Sequence, residues 1–298
     1  MNETVGLPVG MVGLGNAGSA LASAFSGQVP LVGYDANPVR REAVDDLEMQ
    51  WADSAGDVAG LAGTVLLSLP KPEASKAVVG ELIGCARPPK LIVETSTVTP
   101  NTARELSALC DAAGIAFIDA AVGSGVQAMA AGQVTWLVGG SDDAVAQARP
   151  VLELVAKKIH HLGPVGAGSG AKVVNNAVMH ALMVVLIEAG ALAAKLGIPL
   201  DALVEILGSA DGVTRPLQHR FRERILGGDY EGGMSVANAR KDSMLALETA
   251  QDCGVPLFAM LAAHTPYEIA ESQGLGELDY AALAKLWEDW CGVDFSAG

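Results

Sequence analysis

Short runs of Val, Ile and Leu alternate with longer segments of helical periodicity between Val9 and His161. Apolar runs of this length are typical of strands buried on both faces, and helices between such strands connect them in parallel. The alternation therefore predicts a doubly wound parallel sheet with helices on both faces. The seven predicted strands are VGMVG near Met11, PLVGY near Val32, TVLLS near Leu66, KLIVE near Ile92, IAFID near Phe117, VTWLV near Leu137 and KKIHH near Ile159.

The pattern changes after His161, where the segment LGPVGAGSG interrupts the alternation. The rest of the chain is helical in periodicity, with a helix start near Leu200, and it contains no convincing strand. A length of 298 residues suits two domains. We predict an α/β domain over residues 1–163 and an all-α domain over residues 164–298, which begins with a long interdomain helix.

Residues 177–194 form an almost entirely apolar stretch of about the length that a bilayer requires. His180 and Glu188 interrupt this stretch, and neither basic flanks nor aromatic anchors frame it. Because a helix that is apolar on all sides can also be buried between domains or subunits, we favour that interpretation over a membrane span. It predicts a homodimer or homotetramer in which the α-domains pack together.

Composition and charge exclude several classes of function. A formal net charge of -15 opposes nucleic-acid binding, because that affinity comes largely from Lys and Arg. The four cysteines and five histidines have no metal-ligand spacing, so no metal is predicted. The start MNETVGLPVGMVGLG has no positively charged region and predicts no signal peptide, so we expect a cytoplasmic protein.

A glycine-rich turn directly follows the first predicted strand and opens a helix. The turn consists of Gly13, Leu14, Gly15, Asn16, Ala17 and Gly18. In this context the glycines permit a tight turn, close approach of the backbone to a pyrophosphate, and helix–strand packing. Asp35 ends the next strand, where a carboxylate can bind ribose hydroxyls. The turn predicts a Rossmann-type dinucleotide site; the alternative is a packing turn with Asp35 capping the helix near Pro38.

The same residues bear on the choice of dinucleotide. The Asp35 carboxylate would repel a 2′-phosphate, which favours NAD over NADP. Arg40 and Arg41 follow closely and are able to accept such a phosphate, so NADP stays possible.

Several ordered motifs over essentially the whole chain resemble the β-hydroxyacid dehydrogenase family. This family includes 3-hydroxyisobutyrate dehydrogenase, tartronate semialdehyde reductase and, more distantly, 6-phosphogluconate dehydrogenase. The motifs are GLGNAGSALA from Gly13, Leu69-Pro70, Ser96-Thr97-Val98-Thr99-Pro100, DAAVGSG from Asp119, GAGSGAKVVNN ending at Asn176, and RKDSMLALETA around Lys241.

The resemblance implies that Lys172 and Asn176 form the catalytic pair. Their i, i+4 spacing places both side chains on one helical face just after the glycine-rich break. Lys172 would act as general base in oxidation and general acid in reduction, which requires burial or a neighbouring positive charge to lower its pKa. The alternative is a solvated Lys beside a helix-interior Asn.

The resemblance also implies substrate and cofactor contacts. The substrate carboxylate would meet the N–H groups of Gly123, Ser124 and Gly125, although this segment departs from the family sequence D-A-P-V-S-G-G. The implied cofactor contacts are Leu69, Pro70, Thr97 and Lys241. The alternatives are that Thr97 or Thr99 caps the helix near Pro100, and that Lys241 pairs with Asp242 in solvent.

These observations together predict an NAD(P)-dependent oxidoreductase. It would interconvert a short β-hydroxy acid and its aldehyde or keto acid, of the 3-hydroxyisobutyrate or tartronate semialdehyde type. The alternatives are an imine reductase-like NADPH enzyme and a non-catalytic, dehydrogenase-like binding protein. Lys172 argues against both, because the resemblance places a different residue there in imine reductases and no catalytic Lys in the non-catalytic relative.

Overall fold

The computed structural model describes residues 8–42, 44–210 and 212–297. The first seven residues, which carry the expectation of no signal peptide, lie outside the described residues. The chain forms two compact units, Met1–Ala177 and Val178–Gly298. This division falls inside a long helix, and the predicted domain boundary at residue 163 stays a prediction.

Over residues 8–42 and 44–177, the first unit has eight strands and eight helices, and the last helix continues into the second unit. The strands are β1 Val9–Val12, β2 Leu31–Tyr34, β3 Met49–Trp51, β4 Thr64–Leu67, β5 Leu91–Glu94, β6 Ala116–Val122, β7 Val134–Gly139 and β8 Ala156–His161. The helices are α1 Asn16–Phe25, α2 Val39–Glu42, α3 Ala55–Leu61, α4 Pro72–Gly84, α5 Pro100–Ala112, α6 Val126–Ala130, α7 Asp142–Glu153 and α8 Ala167–Lys195.

The eight strands form one sheet in the order β3-β2-β1-β4-β5-β6-β7-β8. The seven predicted strands are confirmed. Sequence analysis missed β3, because three half-exposed residues give no apolar run. The prediction of a wholly parallel sheet is wrong at one place, since β6 and β7 are antiparallel. The physical reason is that the connection between them is too short for the crossover that a parallel pair needs.

Alternating side chains of the strands supply two cores, one on each face of the sheet. Met11 packs with α1 and α7 on one face. Its neighbour Val12 packs with α3, α4 and α5 on the other face. This alternation follows from the two-residue period of a strand, and it confirms the doubly wound architecture.

The second unit is helical, apart from an isolated bridge between Ser235 and Asp279. Its helices besides α8 are α9 Leu200–Gly208, a π-helix Pro216–Ile225, α10 Val236–Cys253, α11 Phe258–Ser272, α12 Ala284–Cys291 and the 3-10 helices Tyr280–Leu283 and Phe295–Ala297. The predicted helix start at Leu200 is confirmed. The α/β plus all-α fold class is confirmed as well.

Helix α8 is long and apolar enough to cross a membrane by length and composition, yet only 11% of its most apolar segment is buried. This part of the helix is thus exposed in the single chain, and its predicted burial between domains or subunits stays a prediction. Met183 and Ile187 are 55% and 59% exposed. Glu188, which interrupts the apolar stretch, is buried and accepts hydrogen bonds from Ala259 N (2.8 Å) and Met260 N (3.1 Å) at the start of α11.

Candidate active site

The carboxyl ends of the central strands form one edge of the sheet. Strand pairing aligns Tyr34 with Val12, Val12 with Leu67, Leu67 with Glu94, and Glu94 with Asp119. Ligands of open α/β sheets bind outside this edge. The loops that leave these strands carry most of the predicted site residues of the first unit.

A cleft of roughly 700 Å³ opens at this edge beside the glycine-rich turn. Among the predicted cofactor residues, those that line it are Gly13, Gly15, Asn16, Ala17, Asp35, Leu69 and Pro70. Gly15 precedes α1, and a Cβ added there would meet no atom within 4 Å. A Cβ at Gly18 would lie 2.0 Å from Gly13 O, so this glycine packs the helix against the turn. The cleft and the turn together fit a dinucleotide.

Asp35 holds the two loops of this cleft together. Its Oδ2 accepts a hydrogen bond from Leu14 N at 2.7 Å, and its Oδ1 accepts one from Asn37 N at 2.7 Å. Asn37 Oδ1, in turn, accepts from Val39 N at the start of α2. Asn37, not Asp35, therefore binds the N–H at the start of α2, and the Asp35 carboxylate lines the cleft.

The two arginines near Asp35 have different surroundings. Arg40 lines the cleft. Arg41 instead places its guanidinium over the ring of Trp51, 4.7 Å from the centroid. Only Arg40 is thus positioned at the wall of the cleft.

A buried acid that sequence analysis missed organises the loops after β4 and β5. Glu94 Oε1 accepts a hydrogen bond from Ser96 N at 2.8 Å, and Ser96 Oγ accepts one from Leu69 N at 2.7 Å. Burial raises the pKa of Glu94 above its usual value. The only signal in the sequence was an acidic residue at the end of an apolar run.

The first turns of α8 carry the predicted catalytic pair. Asp119 accepts hydrogen bonds from Gly166 N (2.8 Å) and Ser169 N (2.6 Å), and this fixes the start of the helix at the sheet edge. Lys172 follows Ser169 by three residues and is half-buried. Burial lowers the pKa of Lys172 from its usual value, as a Lys acting as a base requires. Asn176, also half-buried, lies one turn further on the same face.

Residues 123–125 lie between β6 and α6. The Gly123 N–H donates to Thr135 O at 2.8 Å, so it is occupied by strand pairing and does not contribute to an anion nest. Ser124 Oγ accepts from Thr135 N at 3.3 Å. Of the three N–H groups predicted to bind the substrate, this leaves those of Ser124 and Gly125.

Four predicted cofactor residues are not among those that line the cleft: Leu14, Gly18, Thr97 and Lys241. Thr97 is exposed, and Thr99, not Thr97, caps α5 by accepting from Thr102 N. Lys241 lies in the second unit, and its Nζ is 3.1 Å from Asp242 Oδ1 in an exposed pair. Their roles toward the cofactor stay predictions.

Comparison with known protein families now decides the identity. Residues 8–163 match the NAD binding domain of 6-phosphogluconate dehydrogenase, and residues 166–287 match the NAD-binding family of NADP-dependent 3-hydroxyisobutyrate dehydrogenase. The chain belongs to the β-hydroxyacid dehydrogenase family. It is an NAD(P)-dependent dehydrogenase that acts on the hydroxyl group of a hydroxy acid.

Relatives of this dehydrogenase align along nearly the whole chain. 2-(Hydroxymethyl)glutarate dehydrogenase of Eubacterium barkeri is 30% identical and covers 98% of both chains. NAD-dependent L-serine dehydrogenase of Pseudomonas aeruginosa is 32% identical, over 94% of this chain and 97% of the relative. An imine reductase from Pseudomonas sp. has a TM-score of 0.84 but 21% identity, over 94% of this chain and 99% of that one, so it shares the fold alone.

Two glycine substitutions test whether this dehydrogenase binds its dinucleotide at the turn. We expect Gly15→Ala to leave the free energy of unfolding within about 0.5 kcal/mol of wild type, because its Cβ meets open space, yet to weaken NADH binding at least about tenfold. We expect Gly18→Ala to cost about 1–3 kcal/mol through overpacking against Gly13 O. Urea denaturation and NADH fluorescence titration measure these effects.

Gly60→Ala is the matched control, since Gly60 lies in α3 with open space around it. It should change neither NADH binding nor, beyond a small gain in helix propensity, stability. Unaltered NADH affinity in Gly15→Ala would contradict the assignment of the cleft.

Proposed function

We propose that this dehydrogenase interconverts a short β-hydroxy acid and its aldehyde or keto acid, with Lys172 as the proton-transferring group. The proposal rests on the surroundings of Lys172. This residue is half-buried, burial lowers its pKa, and it follows by three residues Ser169, whose N–H is bonded to Asp119 of the sheet.

The cofactor supplies the hydride chemistry, and the chain supplies positioning and proton transfer. The glycine-rich turn, Asp35 and the Leu69-Pro70 turn would hold the dinucleotide. In oxidation, neutral Lys172 takes the proton of the substrate hydroxyl; in reduction, its ammonium returns it. Asn176, one helical turn away, would orient the hydroxyl or the amine by hydrogen bonding.

The substrate class follows from the relatives and from the segment after β6. 3-Hydroxyisobutyrate, L-serine, glycerate and 2-(hydroxymethyl)glutarate share one fragment, a primary alcohol attached to a carbon that bears a carboxylate. The N–H groups of Ser124 and Gly125 would bind that carboxylate. We propose that the substrate contains this fragment, and that the reaction is of the 3-hydroxyisobutyrate dehydrogenase or tartronate semialdehyde reductase type.

Steady-state rates on these four acids with NAD and NADP test the reaction and the role of Lys172. We expect Lys172→Ala to lower kcat about 10²–10⁴-fold, the usual contribution of general acid–base catalysis. In wild type, kcat/KM for oxidation should rise with pH through the Lys172 pKa, because the neutral amine is the base. That pKa should lie below the ordinary value of 10.5.

The matched control is Lys195→Ala, which removes an exposed Lys at the other end of the same helix. It should retain wild-type turnover. Turnover of cyclic imines but not of acids, or equal activity in Lys172→Ala, would count against the proposed reaction.

We further propose that NAD is the preferred dinucleotide. The Asp35 carboxylate lines the cleft and would meet a 2′-phosphate with like charge. Asp35→Ser should therefore improve kcat/KM with NADP relative to NAD by about tenfold, which corresponds to about 1.4 kcal/mol. Asp45→Ser, an exposed acid in the same part of the chain, is the control and should leave the ratio unchanged.

A wild-type preference for NADP would contradict this proposal. Arg40 at the cleft wall would then be the group that binds the phosphate, and Arg40→Ala would remove the preference. Arg41→Ala would leave that preference unchanged, because the Arg41 guanidinium lies over the Trp51 ring.

We also propose that the exposed apolar face of α8 is covered by a second copy of the chain in a homodimer or homotetramer. Large apolar side chains on one helix rarely stay in water in a monomer. Met183→Glu with Ile187→Glu, one turn apart, should convert the assembly to monomers or aggregates in light scattering after size exclusion. Leu109→Glu on α5, 50% exposed, is the control. A monomeric wild type would refute the proposal.

A further inference from the structure

Asp119 is a buried acid that the proposed reaction does not use. It lies in the middle of β6, in register with Glu94 at the carboxyl edge of the sheet, and its exposed fraction is 0%. Burial of a carboxylate in such a place is costly unless its oxygens are hydrogen-bonded. Burial accordingly raises the pKa of Asp119, and its hydrogen bonds oppose that rise.

Both oxygens of Asp119 are engaged by the same short piece of backbone. Oδ1 accepts from Gly166 N at 2.8 Å and Oδ2 accepts from Ser169 N at 2.6 Å. These groups flank the first turn of α8, where helix N–H groups lack intrahelical partners and the helix dipole is positive. Because the carboxylate binds two different backbone atoms, Gly166 N and Ser169 N, it restrains both the rotation of the helix about its axis and the position of its first turn over the sheet.

Two glycines bring the helix start close enough for these bonds. A Cβ at Gly168 would lie 2.3 Å from Leu137 O, and a Cβ at Gly139 would lie 2.6 Å from Asp119 Oδ1. Neither position has room for a side chain without movement of the helix or the strand. The first turn of α8 is thus packed directly on β6 and β7.

We propose that Asp119 is a positioning residue for Lys172: its carboxylate sets the place and rotation of the first turn of α8, and with them the direction of the Lys172 side chain. Lys172 lies about 4.5 Å along the helix axis beyond the Ser169 N–H, at 1.5 Å per residue. This inference rests on the proposed role of Lys172. A shift of about 1 Å in a reacting group is able to lower a rate about a hundredfold.

The variant Asp119→Asn tests the proposal with little change in shape. An amide accepts one of the two hydrogen bonds but presents its NH₂ group to the other N–H, which releases one side of the helix start. We expect kcat on the best of the four acids to fall about tenfold to a hundredfold, while the Kd for NADH stays within about twofold.

A double-mutant cycle separates positioning from a general effect on folding. In the Lys172→Ala background, Asp119→Asn should lower kcat less than about twofold, because there is no amine left to misplace. Equal losses in both backgrounds would overturn the proposal, as would wild-type kcat in Asp119→Asn. If Lys172→Ala is itself fully active, the proposed function fails instead, so the two failures are distinguishable.

Asp279→Asn is the matched control for loss of a buried carboxylate. Asp279 is also 0% exposed and accepts a backbone bond from Ala281 N, but it pairs with Arg220 and Arg224 and lies in the second unit. Asp279→Asn should lower the urea midpoint of unfolding but leave kcat of the folded protein unchanged. Should Asp119→Asn not fold, Gly139→Ala provides a second variant, since its Cβ displaces the Asp119 carboxylate and the backbone of Pro164 and Ala167 at the helix start while keeping the charge. The same loss of kcat is expected, and unchanged kcat would again overturn the proposal.

Discussion

The hydrogen bonds from Gly166 N and Ser169 N to the Asp119 carboxylate determine where the longest helix of the protein begins. A buried negative charge would be strongly unfavourable by itself, and the positive end of α8 compensates for it. The helix start gains partners for its free N–H groups from the same contact. The contact ties the first turn of α8 to the sheet of the first unit, which extends to Ala177.

Buried acids in this chain bind main-chain N–H groups at several other places. Glu94 holds the loop of Ser96, and Glu188 holds the start of α11. The Glu94 contact is local to the loop after β5, and the Glu188 contact connects α8 with α11. A protein with 34 acidic and 19 basic residues has few cations to pair with buried carboxylates. Backbone N–H groups bind one oxygen of Glu94 and both oxygens of Glu188 instead, whereas buried Asp279 pairs with Arg220 and Arg224.

Sequence analysis recovered what local patterns encode. Seven strands, the glycine-rich turn and the pairing of Lys172 with Asn176 on one helical face follow from periodicity and spacing. Strand β3 was missed because Gln50 and its neighbours are too few and too exposed to form an apolar run. The role of Asp119 was missed for another reason: its partners lie 47 and 50 residues further along the chain, and only the folded sheet brings them together.

The environment of Lys172 combines two opposing effects of charge and burial. A net charge of -15 favours the ammonium form of every Lys and would raise its pKa. Exposed charges act weakly beyond about 10 Å at ordinary salt, however, because the solvent screens them. Desolvation acts at the site itself, and it is the cause that lowers the Lys172 pKa. The nearby Asp119 carboxylate accepts bonds from the helix start, so it orients the helix that carries the amine without forming an ion pair with it. Local desolvation thus lowers the pKa of Lys172 even in a protein with a large negative net charge.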